Sequence, residues 1–202
     1  MRFKEFIDID SLRHAKIEEK PVSNYKGDYK DLDIAKPSSN GSDKTYQELN
    51  DMQDMFKDRN EVIEKSVKDH DLEVGHAVKQ YLKNNNLDFK ETDVNKLADI
   101  GGGIVRYYKN KFERIRPYQL AEALKMKFDH MPLDSDSMKS PAYPSGHSLQ
   151  SRLIAEYYVE QYPEHKKGLI AAAEETGKGR IYAGWHYPSD HEAAVKLAKQ
   201  IY

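Results

Sequence analysis

From Tyr46 onward, apolar residues recur at spacings of three and four, the period of one helical face. The pattern predicts helices over 44–58, 60–68, 71–84, 91–115, 118–127, 146–161, 164–180 and 189–201. Asn84-Asn85-Asn86 interrupts it, and Thr92 before Asp93 reads as a helix start. Alternating strand patterns are almost absent. Ahead of this region, Phe3, Phe6, Ile7 and Leu12 predict a short amphipathic helix within 1–20. Residues 21–44 are rich in Pro, Gly, Ser, Asn and charge, and read as an extended linker or loosely packed arm. The fold expected is therefore all-α: one helical-bundle domain over 46–202, an extended polar arm over 1–45, and no internal repeat. Gly101-Gly102-Gly103 falls inside the 91–115 pattern. Because glycine costs ~1 kcal/mol in a helix interior, a kink or close helix–helix packing is the favoured explanation, ahead of ligand approach.

Composition narrows the functional classes. At 202 residues and 38% hydrophobic, the chain can bury a real core as one domain with an appended arm. Its formal net charge of -2 gives no footing for a polyanion, so no nucleic-acid partner is expected. Absence of cysteine excludes disulfides, thiolate metal sites and thiol nucleophiles. MRFKEFIDIDSLRHAKIEEK lacks the apolar core of a secretory signal, and no apolar run approaches the ~18 residues of a membrane span. A cytoplasmic location is the expectation if Met1 is the natural start.

Three clusters carry chemistry. In the first, Lys109 and Arg116 are seven residues apart, which on a helix places them on one face, with Pro117 setting Arg116 at its end. Two cations so placed can converge on one anion, or form a solvated basic face near a helix C-terminus. In the second, PAYPSGHS (141–148) leads straight into a helical pattern. The first-turn amides of Gly146 and His147 would make an anion site, with the Ser145 hydroxyl and the His147 ring beside it. Equally, Ser145 would serve only as an N-cap and His147 as a surface residue. In the third, Arg180, His186 and Asp190 surround the one tryptophan. Ser189 and Glu192 form a capping-box pattern that starts the last helix and brings Asp190 within reach of His186. An acceptor on one ring nitrogen would fix the tautomer and aim the other outward, as for a histidine nucleophile or base; a purely structural His–Asp bond is the alternative. Together the clusters offer Lys, two Arg, Ser, amides, two His and an Asp, an inventory suited to a tetrahedral oxyanion with one histidine as nucleophile and the other as acid.

The order Lys109-x6-Arg116-Pro117, then Pro144-Ser145-Gly146-His147, then Arg180-x5-His186-x3-Asp190 resembles the three-part signature of the phosphatidic acid phosphatase type 2 / vanadium haloperoxidase superfamily. Gly179 stands where that signature usually has Ser, and the resemblance covers roughly 95–195. It implies an all-helical bundle and a metal-independent phosphomonoesterase of the acid-phosphatase type. By resemblance, Lys109, Arg116, Ser145, Gly146 and Arg180 hold the phosphoryl oxygens. His186 attacks phosphorus, Asp190 orients it, and His147 acts as general acid and base. No cofactor is implied, although vanadate or phosphate would fit the cage.

The alternatives belong to other classes: a vanadate-dependent haloperoxidase, or a non-catalytic phosphate-binding or structural protein. Haloperoxidases of the family carry an aromatic residue or histidine five positions before the motif serine, where this chain has Ser140. The partner expected is a small phosphorylated substrate, with oligomeric state open and a homodimer among the options. Asp69-His70, Asp129-His130 and Asp190-His191 lack a second ligand at metal-binding spacing and read as solvated pairs. Residues 128–141 read either as a lid or as a surface connection.

Overall fold

The computed structural model describes residues 12, 16–19, 22, 25–132 and 136–202. Among them run eight α-helices and no strand: α1 (Asp43–Phe56), α2 (Glu61–Leu72), α3 (His76–Asn84), α4 (Glu91–Phe112), α5 (Pro117–Ala123), α6 (Gly146–Gln161), α7 (Lys166–Tyr182) and α8 (Pro188–Ile201). The all-helical expectation holds, and most predicted segments map onto these helices within a few residues. Polar caps start the first two: Ser42 Oγ accepts from Thr45 N, and Asn60 Oδ1 from Val62 N and Ile63 N.

At the centre lies α6, packed against α4, α7 and α8. One side of α6 presents Ile154, Ala155 and Tyr158 to Val78 and Leu82 of α3 and to Leu169 and Ala173 of α7. Leu149 and Leu153 instead meet Ile104 and Tyr108 of α4 and Ala194 and Leu197 of α8. A third cluster joins Leu49 and Met52 of α1 to Leu120 of α5, Ile181 and Tyr187. A fourth sets Trp185 and Ala183 against Val67 and Met131. With α6 apolar on two opposite sides, its hydrophobic positions identify a buried element better than they identify a single face.

Two boundaries bear on the site. The helix predicted over 91–115 ends at Phe112, where Glu113 turns into the left-handed region (φ 48°). Residues 113–116 then run without helical structure into α5, so Lys109 and Arg116 do not share a helical face. Near the C-terminus, Tyr187 occupies the N-cap position of α8 and Pro188 its first turn. The carboxylate accepting at that start is Asp190, from Tyr187 N at 2.9 Å, in place of the predicted Ser189–Glu192 box.

The glycine triplet is a packing device. Helix α4 runs through it unbroken, and a Cβ at Gly101 would lie 2.9 Å from Gln150 Cγ and 3.4 Å from its Cα. Of the helix predicted within 1–20, most residues lie outside those described, though Leu12 packs on the α1–α5 cluster. Val22, Tyr25, Tyr29, Leu32 and Ile34 line the α4–α8 cluster, and Tyr108 Oη reaches the carbonyls of Tyr29 (2.7 Å) and Leu32 (3.2 Å).

A branched side chain at Gly101 would force α4 and α6 apart. Gly101→Leu is expected to lower unfolding free energy by about 1–3 kcal/mol. Gly41→Ala, with nothing within 4 Å of its added Cβ, is expected to stay within about 0.5 kcal/mol. Urea unfolding midpoints of the two variants check both values.

Candidate active site

Residues 113–116 carry no helical structure, and the two arginines among them enter different networks: Arg114 bonds Glu48 and Asp190, and Arg116 bonds Ser140 and Trp185. Arg116, almost fully buried, donates through Nε to Ser140 O (2.8 Å), through Nη1 to Trp185 O (2.9 Å), and through Nη2 to Ser140 Oγ (3.2 Å). Lys109, in the last turn of α4, donates to the same Ser140 Oγ (2.9 Å) and to Pro141 O. The two cations thus meet on one residue, Ser140. Arg180, in the last turn of α7, lies over the Trp185 ring (4.3 Å) and donates to Asp71 Oδ1 at 2.6 Å.

Between these cations stands His186. Its Nε2 is 3.3 Å from Arg116 Nη1, and its Nδ1 is 3.2 Å from Asp190 Oδ2. A guanidinium only donates, so Nε2 presents its lone pair and the ring proton resides on Nδ1, bonded to the carboxylate. Asp190 is completely buried. Its other oxygen, Oδ1, accepts from Arg114 Nη1 (2.6 Å), and its backbone carbonyl accepts from Ser145 N (3.1 Å). Arg114 also donates to Glu48 Oε2 (2.7 Å) and Ser189 Oγ (2.7 Å), and lies flat on Tyr187 at 3.8 Å.

Helix α6 opens onto the same place. Ser145 holds its N-cap position, yet the side chain makes no cap bond; its Oγ accepts from Ser148 Oγ at 2.8 Å. First-turn amides of a helix have no intrahelical acceptor, so the α6 N-terminus presents donors there. A Cβ at Gly146 would meet Val105 at 3.6 Å and Gln150 at 3.8 Å, ordinary contacts, so packing does not demand this glycine. His147 Nε2 lies 3.9 Å from Asp71 Oδ1, facing the carboxylate that Arg180 binds.

Electrostatics follow from burying like charges together. Burial, then Arg116, Lys109 and Arg180, pushes His186 well below the ordinary imidazole value. Burial, then Arg180, His186 and the other two cations, does the same to His147. Lys109 is driven well down by burial and Arg116, while burial and Arg180 push Arg116 down to about 10. Arg114 behaves oppositely. Burial works against its charge, but Asp190 and Glu48 outweigh that and raise it. Cations therefore repel each other on the His186 side and are neutralised behind Asp190.

All eight residues singled out from the sequence lie in this one region: Lys109, Arg116, Ser145, Gly146, His147, Arg180, His186 and Asp190. Four others were missed. Arg114 and Glu48 hold Asp190 from behind, and Asp71 faces Arg180 and His147. Ser140, noted earlier only for what it is not, receives both Lys109 and Arg116. The reading of Asp190-His191 as a solvated pair is wrong, since both are buried; His70 is buried as well. Asp129 is an exposed partner of Arg59. Within 128–141, the described residues are anchored, with Met131 N donating to Ala183 O and Trp185 Nε1 to Met131 O (each 2.9 Å).

The site thus sets the Ser-Gly-His start of the central helix near Lys109, Arg116, Arg180 and a carboxylate-bound histidine. The family model described as PAP2 superfamily matches residues 97–198, and the chain belongs to that superfamily. It is 28% identical over 144 residues to a non-specific acid phosphatase of Providencia stuartii, covering 67% of this chain and 56% of the relative. To a non-specific acid phosphatase of Salmonella typhimurium it is 32% identical over 100 residues, 45% of this chain and 37% of that protein. The chain therefore spans about half or less of these relatives' length. Among solved structures, a transmembrane PAP2-type phosphatidylglycerolphosphate phosphatase from Bacillus subtilis shares the fold. That match has a TM-score of 0.51 and 20% identity, covering 79% of this chain and 83% of the other. Among the described residues of this chain, no helix is long and apolar enough to cross a membrane.

Removing Arg114 strands two buried carboxylates. Arg114→Met is expected to cost about 3–5 kcal/mol of stability, the range for breaking one side of a buried ion pair. Arg114→Lys should recover little, because one ammonium cannot reproduce a fork reaching Glu48 and Asp190 together. Denaturant titration of both variants measures this, and a change under 0.5 kcal/mol in Arg114→Met would refute the account.

Proposed function

We propose that this chain hydrolyses phosphate monoesters through a phosphohistidine on His186. The observation that carries this reading is the orientation of the His186 ring: Nδ1 is held by Asp190, Nε2 lies 3.3 Å from Arg116 Nη1, and Lys109 and Arg180 are near enough to act on the ring. A phosphoryl group bound by those cations, Ser145 and the α6 amides would place phosphorus in front of that lone pair. Nε2 then bonds to phosphorus as the ester P–O bond breaks, and His147 passes its proton to the departing alkoxide. Water next attacks the phosphohistidine while His147 takes the water's proton, releasing phosphate and restoring both rings. Cations and helix-end amides stabilise charge on the equatorial oxygens, so binding and electrostatics carry the catalysis without a cofactor. Likeness to acid phosphatases supports the substrate class, and Ser140, binding Lys109 and Arg116, supports a cage built for phosphate over halide oxidation. Vanadate is expected to compete with substrate in the same cage.

His186→Ala is expected to lower turnover of a generic aryl phosphate by at least about 10³-fold, the order found when a covalent nucleophile is removed. EDTA should leave the wild-type rate unchanged. Equal rates in wild type and His186→Ala would eliminate the proposed nucleophile, and activity restored only by added metal would eliminate the cofactor-free mechanism.

The pH profile follows from the direction of the histidine shifts. His147 must be charged to protonate the leaving group, and with its pKa lowered it holds that proton only at acidic pH. His186 must be neutral, and its lowered pKa keeps it so further into the acid range. The bell in kcat/KM should therefore centre below pH 6.5, falling as pH rises through the His147 value. A maximum on the alkaline side of neutrality would contradict these assignments.

A further inference from the structure

Ser145 is placed as a helix cap but does not cap. Its hydroxyl enters a chain of side chains running away from the cage. Ser148 Oγ, one turn along α6, lies 2.8 Å from Ser145 Oγ. His191 Nδ1 lies 3.0 Å from Ser148 Oγ, and His191 Nε2 lies 2.8 Å from Glu174 Oε2. Glu174 is held in turn by Arg152 Nη1 at 3.2 Å, and Arg152 Nε binds Glu156 at 2.7 Å. Room for the imidazole exists because α7 carries Gly177 opposite it. A Cβ there would lie 2.2 Å from His191 Nδ1 and 3.0 Å from Ser148 Oγ. Neighbouring residues of α8 thus serve two arms: Asp190 reaches His186, and His191 reaches Ser145.

Proton accounting gives this chain a direction. Glu174 as a carboxylate only accepts, so His191 Nε2 carries a proton. With a second proton on Nδ1, the ring donates to Ser148, Ser148 donates to Ser145, and the Ser145 proton is left to point into the cage. Without it, Nδ1 accepts, each hydroxyl turns toward His191, and Ser145 shows only lone pairs to an incoming oxyanion. Among the described residues, the charged groups bonded to His191 or to its partner are Glu174 of α7 and, through Glu174, Arg152 and Glu156 of α6; on its own helix Asp190 adjoins it.

We propose that His191, anchored by Glu174, is a positioning residue that sets which way the Ser148–Ser145 hydroxyl chain points, and that with a proton on Nδ1 it makes Ser145 a donor to the bound phosphoryl group. This rests on the proposed role of Ser145 in holding that group. His191 touches no reacting atom and acts only through the two serines.

A double-mutant cycle tests the coupling, with kcat/KM for an aryl phosphate and Ki for inorganic phosphate as readouts. In the wild-type background, His191→Gln should lower kcat/KM and weaken phosphate binding by up to about 10-fold, the scale of one well-placed hydrogen bond. In a Ser145→Ala background the same substitution should change either quantity less than about 2-fold, since the group it orients is gone. Glu174→Gln, at a side chain 30% exposed, should follow the same pattern and carries the test should His191→Gln fold poorly. Equal losses in both backgrounds, or no loss in wild type, would overturn the positioning role while leaving the phosphatase reading standing. A Ser145→Ala protein as active as wild type would instead remove Ser145 from phosphate binding, and the inference with it.

Discussion

Three buried cationic side chains, Lys109, Arg116 and Arg180, act together on the His186 ring. Unit charges 4 Å apart repel by about 4 kcal/mol at an effective dielectric of 20, so such a cage opposes its own assembly. The fold offsets this with rigid acceptors. Carbonyls of Ser140, Pro141 and Trp185, together with the Ser140 hydroxyl, take the donors of Lys109 and Arg116. These partners satisfy hydrogen bonds without cancelling charge, so the positive field survives where an oxyanion would sit. Glu48 lies behind Arg114, and Asp190 shows one oxygen to Arg114 and the other to His186 and Tyr187 N.

Asp190 is the joint between fold and chemistry. Its side chain starts α8, fixes the His186 tautomer and pairs with Arg114, while its carbonyl holds the backbone of Ser145 at the start of α6. Movement of α8 against α6 would shift the histidine and the serine together. Core contacts between Leu149 and Leu153 of α6 and Ala194 and Leu197 of α8 therefore set the geometry of the candidate site as well as stability. Arg114 is driven toward its charged form by the carboxylates it joins, whereas the cations on the far side of Asp190 are driven away from theirs.

The helices were legible because apolar spacing reports burial directly, and α6 was placed residue for residue. The front of the site was legible because its groups fall in three short motifs. Its supports were not. Glu48 meets Arg114 across 66 residues, and Asp71 meets Arg180 across 109. In a chain with 66 formally charged residues, no local spacing separates such partners from solvated ones. Lys109 and Arg116 do come together, on Ser140, but not by the route their spacing suggested. A seven-residue spacing on a helix suggested a shared face, but the helix ends at Phe112 and a non-helical connection delivers Arg116 instead. Asp190-His191 looked like a surface pair because adjacent polar residues usually face water. It is buried because its ring fills the space that Gly177 leaves open on α7.

Asp71 breaks the separation of charges. It is a carboxylate bound directly to Arg180, at the end of α2, where it also faces His147. An oxyanion approaching Arg180 therefore meets a guanidinium that already has an anionic partner, and its net attraction rests more on Lys109, Arg116 and the α6 amides. The guanidinium is planar and has five donors, so it can hold Asp71 through Nη1 while its other N–H groups serve another oxygen. Asp71 and the stacked Trp185 ring together fix the plane of Arg180, leaving less side-chain entropy to lose on binding. The arrangement exchanges part of the electrostatic attraction for orientation, and the proposed in-line attack by one histidine lone pair would depend on orientation more than on affinity.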